Sequence, residues 1–211
     1  MFRKGMTLIE VIVGMALVLI VITVSMSCIV PSFKNYKNSQ EESALMSNVH
    51  FALRTIEREL KYSDVSGMVI MPQTYTYPAN GETYPSFSIL FPSILAKDGS
   101  YSWDDDGNPY WQKTGIFYLE NSSGNLYYQE NFMTPTVHLN KPAGAFAPRH
   151  GSGPDSDRLI TRNIGKLLFT DTTSQIGITS PAGDYIKIHI TGISMDKVFP
   201  LEASVYAKRT R

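Results

Sequence analysis

One carboxylate in this chain sits where carboxylates are costly. Glu10 interrupts an apolar run, MTLIEVIVGMALVLIVITVSMSCIV, that extends over residues 6–30. In the middle of a bilayer an acid costs about 2.5–3.5 kcal/mol on insertion scales, so Glu10 requires a partner. Five positions before it stands Gly5, directly behind Arg3 and Lys4. A second group of acids, Asp104, Asp105 and Asp106, lies in Trp103-Asp104-Asp105-Asp106-Gly107-Asn108-Pro109. Carboxylates beside Gly and Asn can wrap oxygens around a hard cation such as Ca²⁺. Their spacing is not that of an EF-hand loop, and the same residues also make a plain turn. The histidines His50, His138, His150 and His189 are scattered, and none forms an H-E-x-x-H pair. Ser152 lies between glycines in His150-Gly151-Ser152-Gly153 but lacks the strand–elbow–helix setting of a nucleophile. No glycine-rich loop suits a phosphate. The sequence therefore predicts no catalytic residue and no enzyme, with calcium at Asp104, Asp105 and Asp106 as the one cofactor reading.

The elements that position these residues divide the chain into segments. Val11–Val30 supplies the ~20 apolar residues that cross a membrane as a helix. A secretory signal peptide has an apolar core of only about 7–15 residues and a small-residue cleavage site, which this run does not match. Arg3 and Lys4 hold the N-terminus in the cytoplasm and place the remainder outside it. A plain membrane anchor accounts for all of this except Gly5 and Glu10. Beyond Pro31, apolar residues recur at Leu45, Val49, Leu53, Ile56 and Leu60, in steps of four and three that make one helical stripe. Arg54, Glu57, Arg58 and Lys61 occupy the other face, and the helix is predicted to end near Ser63 or Asp64. Bending or fraying is expected near Pro31–Ser39.

From Val65 onward the pattern becomes short alternating runs between turn residues. Gly115–Leu119 and Asn125–Gln129 form a hairpin pattern around Glu120-Asn121-Ser122-Ser123-Gly124. Arg158–Thr161, Lys166–Thr170 and Ala203–Lys208 read as further strands. Tyr185–Thr191 alternates with Ile186, Ile188 and Ile190 on one face and turns His189 to the other. Pro72–Pro85 and Lys141–Asp157 read as excursions from the sheet. The chain has 211 residues and a formal net charge of zero, so no whole-chain field draws it to nucleic acid. Its one cysteine, Cys28, lies in the apolar run, so no disulfide can form within the chain.

Lys4, Gly5, Thr7, Leu8, Ile9 and Glu10, followed by the apolar helix, resemble the N-termini of type IV prepilins and of the pseudopilins of type II secretion. The family usually has Phe where Met6 stands. The resemblance implies that a prepilin peptidase cuts after Gly5 and methylates Met6. The new Met6 amine, largely cationic at neutral pH, would then pair with Glu10 of a neighbouring subunit and set register. Later pieces resemble the J-type minor pseudopilins and related minor pilins: Thr55-Ile56-Glu57-Arg58-Glu59-Leu60-Lys61, Leu126-Tyr127-Tyr128-Gln129, Asp157-Arg158-Leu159-Ile160 and Val205-Tyr206.

The fold class expected is α+β and pilin-like: a long N-terminal helix, membrane-spanning then amphipathic, packed on an antiparallel β-sheet head. The organisation is a leader at 1–5, a transmembrane and assembly helix at 6–31, an amphipathic helix at 32–64 and a head at 65–211. The function implied is a minor pilin or pseudopilin, a tip or initiation subunit. Its partners would be the prepilin peptidase, major and other minor pilins or pseudopilins, the inner-membrane assembly platform and membrane lipid. It would sit in the inner membrane before assembly and in a pilus or pseudopilus after it. The alternative is a membrane-anchored surface binding module or adhesin that never enters a filament. The Asp104–Asp106 reading predicts that millimolar calcium raises the melting temperature; an unchanged melting curve would leave a plain turn.

Overall fold

The computed structural model describes residues 7–63, 67–76, 83–96, 98–101, 110–120, 123–137, 157–171, 185–194 and 197–206. The chain divides into two compact units, Met1–Ser43 and Ala44–Arg211. One helix, α1 (Leu8–Lys61), contributes to both.

In the first unit the helix carries its apolar side chains outward, with Leu8, Val18 and Ile20 all exposed. Three of its hydroxyls are turned back onto the backbone. Thr23 Oγ1 donates to Leu19 O at 2.8 Å, Ser27 Oγ to Val24 O at 2.7 Å and Ser32 Oγ to Cys28 O at 2.8 Å. Such bonds remove polar groups from an apolar helix surface. The fraying expected near Pro31–Ser39 is absent, because Pro31 lies inside the continuous helix. Proline removes one amide donor, but the turns on either side keep theirs. The Ser32 hydroxyl adds a donor to a neighbouring carbonyl. Helices of this kind tolerate proline when Ser or Thr side chains support the backbone around it.

In the second unit the predicted stripe is buried: Leu45, Val49, Leu53, Ile56 and Leu60 are all at most 8% exposed. The helix closes at Lys61, slightly earlier than predicted, with Ser63 N and Ser63 Oγ both bonded to Leu60 O. Two antiparallel sheets receive the stripe. The first has five strands in chain order: β1 (Val69–Thr76), β2 (Thr83–Ser93), β3 (Trp111–Leu119), β4 (Leu126–Val137) and β5 (Asp157–Thr161). The second is β6 (Ile164–Asp171), β7 (Tyr185–Ser194) and β8 (Lys197–Tyr206). The α+β class expected from sequence holds. So do the hairpin around Gly124, where φ is +68°, and the isoleucine face of β7, where Ile186, Ile188 and Ile190 are fully buried.

The two sheets share one core. Ile70, Phe87, Phe91, Phe117 and Leu126 of the first sheet and Ile164, Leu167, Phe169 and Ile190 of the second lie in one cluster with the stripe of α1. Ser86 Oγ donates to Leu167 O at 3.1 Å, and Ile164 N donates to Gly124 O at 2.9 Å, joining one sheet to the other.

The two ends of Pro72–Pro85, residues 72–76 and 83–85, are not part of an excursion, and residues 77–82 lie outside the described residues. Both ends are strand, with Pro72 opposite Phe87, Thr74 opposite Pro85 and Thr76 opposite Thr83. Thr and Tyr favour a pleated backbone. Pro72 is tolerated because β1 is an edge strand, and Pro85 because β3 pairs with β2 only from Ile89 to Ser93. Of Lys141–Asp157, only Asp157 is described, and it opens β5.

The helix lies close against the second sheet at Gly192 of β7. A Cβ there would stand 2.5 Å from Val49 Cγ2 and 3.0 Å from Leu45 Cδ1. Both neighbours are buried, and valine is stiff at χ1. Gly192→Ala is therefore expected to overpack the contact and destabilise the protein by about 1–3 kcal/mol in urea denaturation. The same change at the open Gly14 should leave that transition in place.

Candidate functional site

The first candidate lies at the start of α1. Glu10 is exposed, and its Oε2 accepts hydrogen bonds from Thr7 N at 2.9 Å and Thr7 Oγ1 at 3.0 Å. Thr7 O in turn accepts from Val11 N at 3.3 Å. Thr7 and Glu10 thus form one half of a capping box, in which the acid three residues into the helix satisfies an amide that no helical carbonyl can reach. The sequence signal for this cap is the T-x-x-E spacing of Thr7-Leu8-Ile9-Glu10. Glu10 therefore has a partner within its own chain. Gly5 and Met6 lie outside the described residues, as do Asp104, Asp105 and Asp106. Among the described residues no group of three or more His, Cys, Asp or Glu is placed to hold a metal.

The second candidate was not visible in the sequence. Where the end of α1 crosses the first sheet, Glu59 and Lys113 are 3% and 4% exposed. Lys113 Nζ lies 3.1 Å from Glu59 Oε2 and 2.9 Å from Glu130 Oε2. Tyr128 OH donates to Glu59 Oε2 at 3.2 Å, and Arg58 reaches Glu59 Oε1 at 3.1 Å. The ammonium of Lys113 also lies over the ring of Tyr128, 5.5 Å from its centre, and Arg158 lies 5.4 Å from the centre of the same ring. Strand alternation brings Tyr128, Glu130 and Phe132 to one face of β4, the face that also meets Lys113 of β3.

Electrostatics follow from burial. Loss of water, and then the adjacent Glu59 carboxylate, push the Tyr128 phenol far above its ordinary value of 10.0. On the opposite face of the sheet, burial raises Tyr118 in the same direction, helped by Asp157, which accepts its hydroxyl proton in a hydrogen bond. Beside the charged cluster is a cavity of about 390 Å³. Its rim includes Arg58, Tyr62, Leu95, Glu130 and Arg158. The loop on its far side is tied by Ala96 N to Ser100 O at 2.8 Å and by Asp98, which accepts from Ser100 N at 2.9 Å. His189 is a sheet-surface residue as expected, with Nδ1 2.8 Å from Glu202 Oε1.

Two outcomes are expected from this geometry. Lys113→Met removes the cation between two carboxylates and leaves Glu59 buried without it, which should cost about 3–5 kcal/mol in urea denaturation. Adding Glu59→Leu should recover part of that loss. The second outcome concerns alkaline pH. Tyr118 and Tyr128 have folded-state values raised above the unfolded one, so their contribution to stability is complete below the ordinary value of 10.0. It is lost as pH rises beyond that point, because the unfolded chain releases the proton first. Near-ultraviolet phenolate absorbance should show these two tyrosines titrating together with unfolding, and Tyr128→Phe should weaken the alkaline loss.

Residues 1–26 match the family model for the prokaryotic N-terminal methylation motif. Comparison of the whole chain with curated proteins and with solved structures gives no significant match. The matched residues run into α1, which is long and apolar enough to cross a membrane. The chain thus carries a type IV pilin-like N-terminus, of the kind that a prepilin peptidase processes and methylates.

Proposed function

We propose that this protein is a minor pilin or pseudopilin, a structural subunit at the tip or in the initiation of a type IV pilus-like filament. The observation that carries the reading is the methylation motif at residues 1–26, continued by a helix whose large apolar side chains from Leu8 to Val30 stand exposed. The motif also points to a structural subunit in place of an enzyme. The precursor sits in the inner membrane with its head outside the cytoplasm. The peptidase cuts between Gly5 and Met6, and the freed Met6 amine is methylated. The helix then leaves lipid for a bundle of like helices, joined by other pilins and the assembly platform.

Glu10 has work on both sides of that transfer. In the lone subunit the Thr7 amide and hydroxyl hold its carboxylate, which lessens the cost of an acid in lipid. In the filament the same carboxylate pairs with the Met6 amine of a neighbour and sets register. A carboxylate has enough acceptor sites for both sets of bonds.

Mass spectrometry of protein extracted from membranes is expected to find a chain beginning at N-methylated Met6. A chain that keeps its first five residues would overturn the reading. Glu10→Ala should leave membrane insertion intact and abolish incorporation into filaments. Incorporation at the normal level would refute the role given to this acid.

A further inference from the structure

We propose that the cavity beside the Glu59–Lys113–Glu130 cluster binds an acidic sugar unit: a pyranose ring that carries one carboxylate. The proposal does not rest on filament assembly, since it concerns only residues of the head. Three features of the cavity carry it.

The first is size. About 390 Å³ falls within the range of roughly 300–1,000 Å³ typical of small-ligand pockets.

The second is charge. Among the described lining residues three cations, Arg58, Lys113 and Arg158, face two carboxylates, Glu59 and Glu130, an excess of one positive charge. Lys113 is consumed by its two carboxylates. Arg58 spends one nitrogen on Glu59 and keeps a side chain 59% exposed. Arg158 is exposed, and its guanidinium lies over the face of Tyr128. Two guanidinium groups with open donors at one rim suit one carboxylate, which guanidinium binds through paired hydrogen bonds. A single anion would neutralise the lining.

The third is the character of the remaining wall. Glu130 gives one oxygen to Lys113 and has a side chain 38% exposed, so its other oxygen can accept a ligand hydroxyl. Tyr62 lines the cavity and is stacked on Tyr101 with ring centres 6.1 Å apart, a broad aromatic face for the C–H side of a sugar ring. A simple acidic side chain would satisfy the arginines but leave the Glu130 oxygen and this face unused. A ring with one carboxylate and several hydroxyls engages all of them.

The test uses the full-length protein in a zwitterionic detergent that lacks a sugar headgroup. Methyl glucuronoside, methyl glucoside and N-acetylglutamate amide are titrated by calorimetry. The expected result is binding of the glucuronoside at least about tenfold tighter than either of the others, the increment of one charge-assisted contact. Arg158→Gln should weaken glucuronoside binding by a similar factor, with an unchanged melting temperature because the side chain is exposed. Glu130→Ala should weaken it too. No binding of the glucuronoside up to about 10 mM, the weak end of specific recognition, overturns the proposal. So does equal binding of the neutral glucoside, tighter binding of the glutamate derivative, or full binding by the Arg158→Gln protein.

Discussion

Leu45, Val49, Ile56 and Leu60 occupy one side of α1, and together they hold the second unit in one piece. Each buried side chain of this type is worth about 1.5–3 kcal/mol relative to water. Neither sheet could bury its inner face alone. The five strands of the first and the three of the second meet on the helical stripe and on each other, in one continuous core. The close approach at Gly192 belongs to the same constraint: the helix settles onto β7 because one strand residue has no side chain there. Ser86 and Ile164 then tie the sheets by hydrogen bonds that satisfy these two buried donors.

The same helix brings a charge into that core. Glu59 follows Ile56 by three and Thr55 by four, so it must face inward with them. Taking a carboxylate out of water is tolerated only when cations and donors surround it. Lys113, Arg58 and the Tyr128 hydroxyl do so, and Glu130 balances the lysine in turn. An apolar group of the same volume would serve stability as well or better. The cluster fixes which strand residues lie beneath the last turns of α1, and it lines a rim at which charge, aromatic surface and open volume meet.

The N-terminal unit follows a different rule. From Leu8 to Val30 its side chains are mostly apolar and outward, Thr23 and Ser27 fold their hydroxyls back on the helix, and the acid in that run, Glu10, is satisfied by the residue three before it. Such a surface is suited to lipid or to other apolar helices, where backbone and side-chain polar groups must find partners locally. Pro31 does not disturb this, since the surrounding helix supplies the support that one missing amide removes.

Local patterns carried much of this in the sequence. The leader and apolar run, the stripe from Leu45 to Leu60, the hairpin at Gly124 and the alternation of β7 all depend on neighbours within a few positions. Period and turn chemistry therefore revealed them. Pro72–Pro85 misled because proline is a breaker on average, whereas an edge strand or the unpaired end of a strand accepts it; that distinction exists only once strand order is set. The charged cluster was out of reach for the same reason. Glu59 meets Lys113 across 54 positions and Tyr128 across 69. No periodicity links residues so far apart; the packing of α1 on the sheet brought them together.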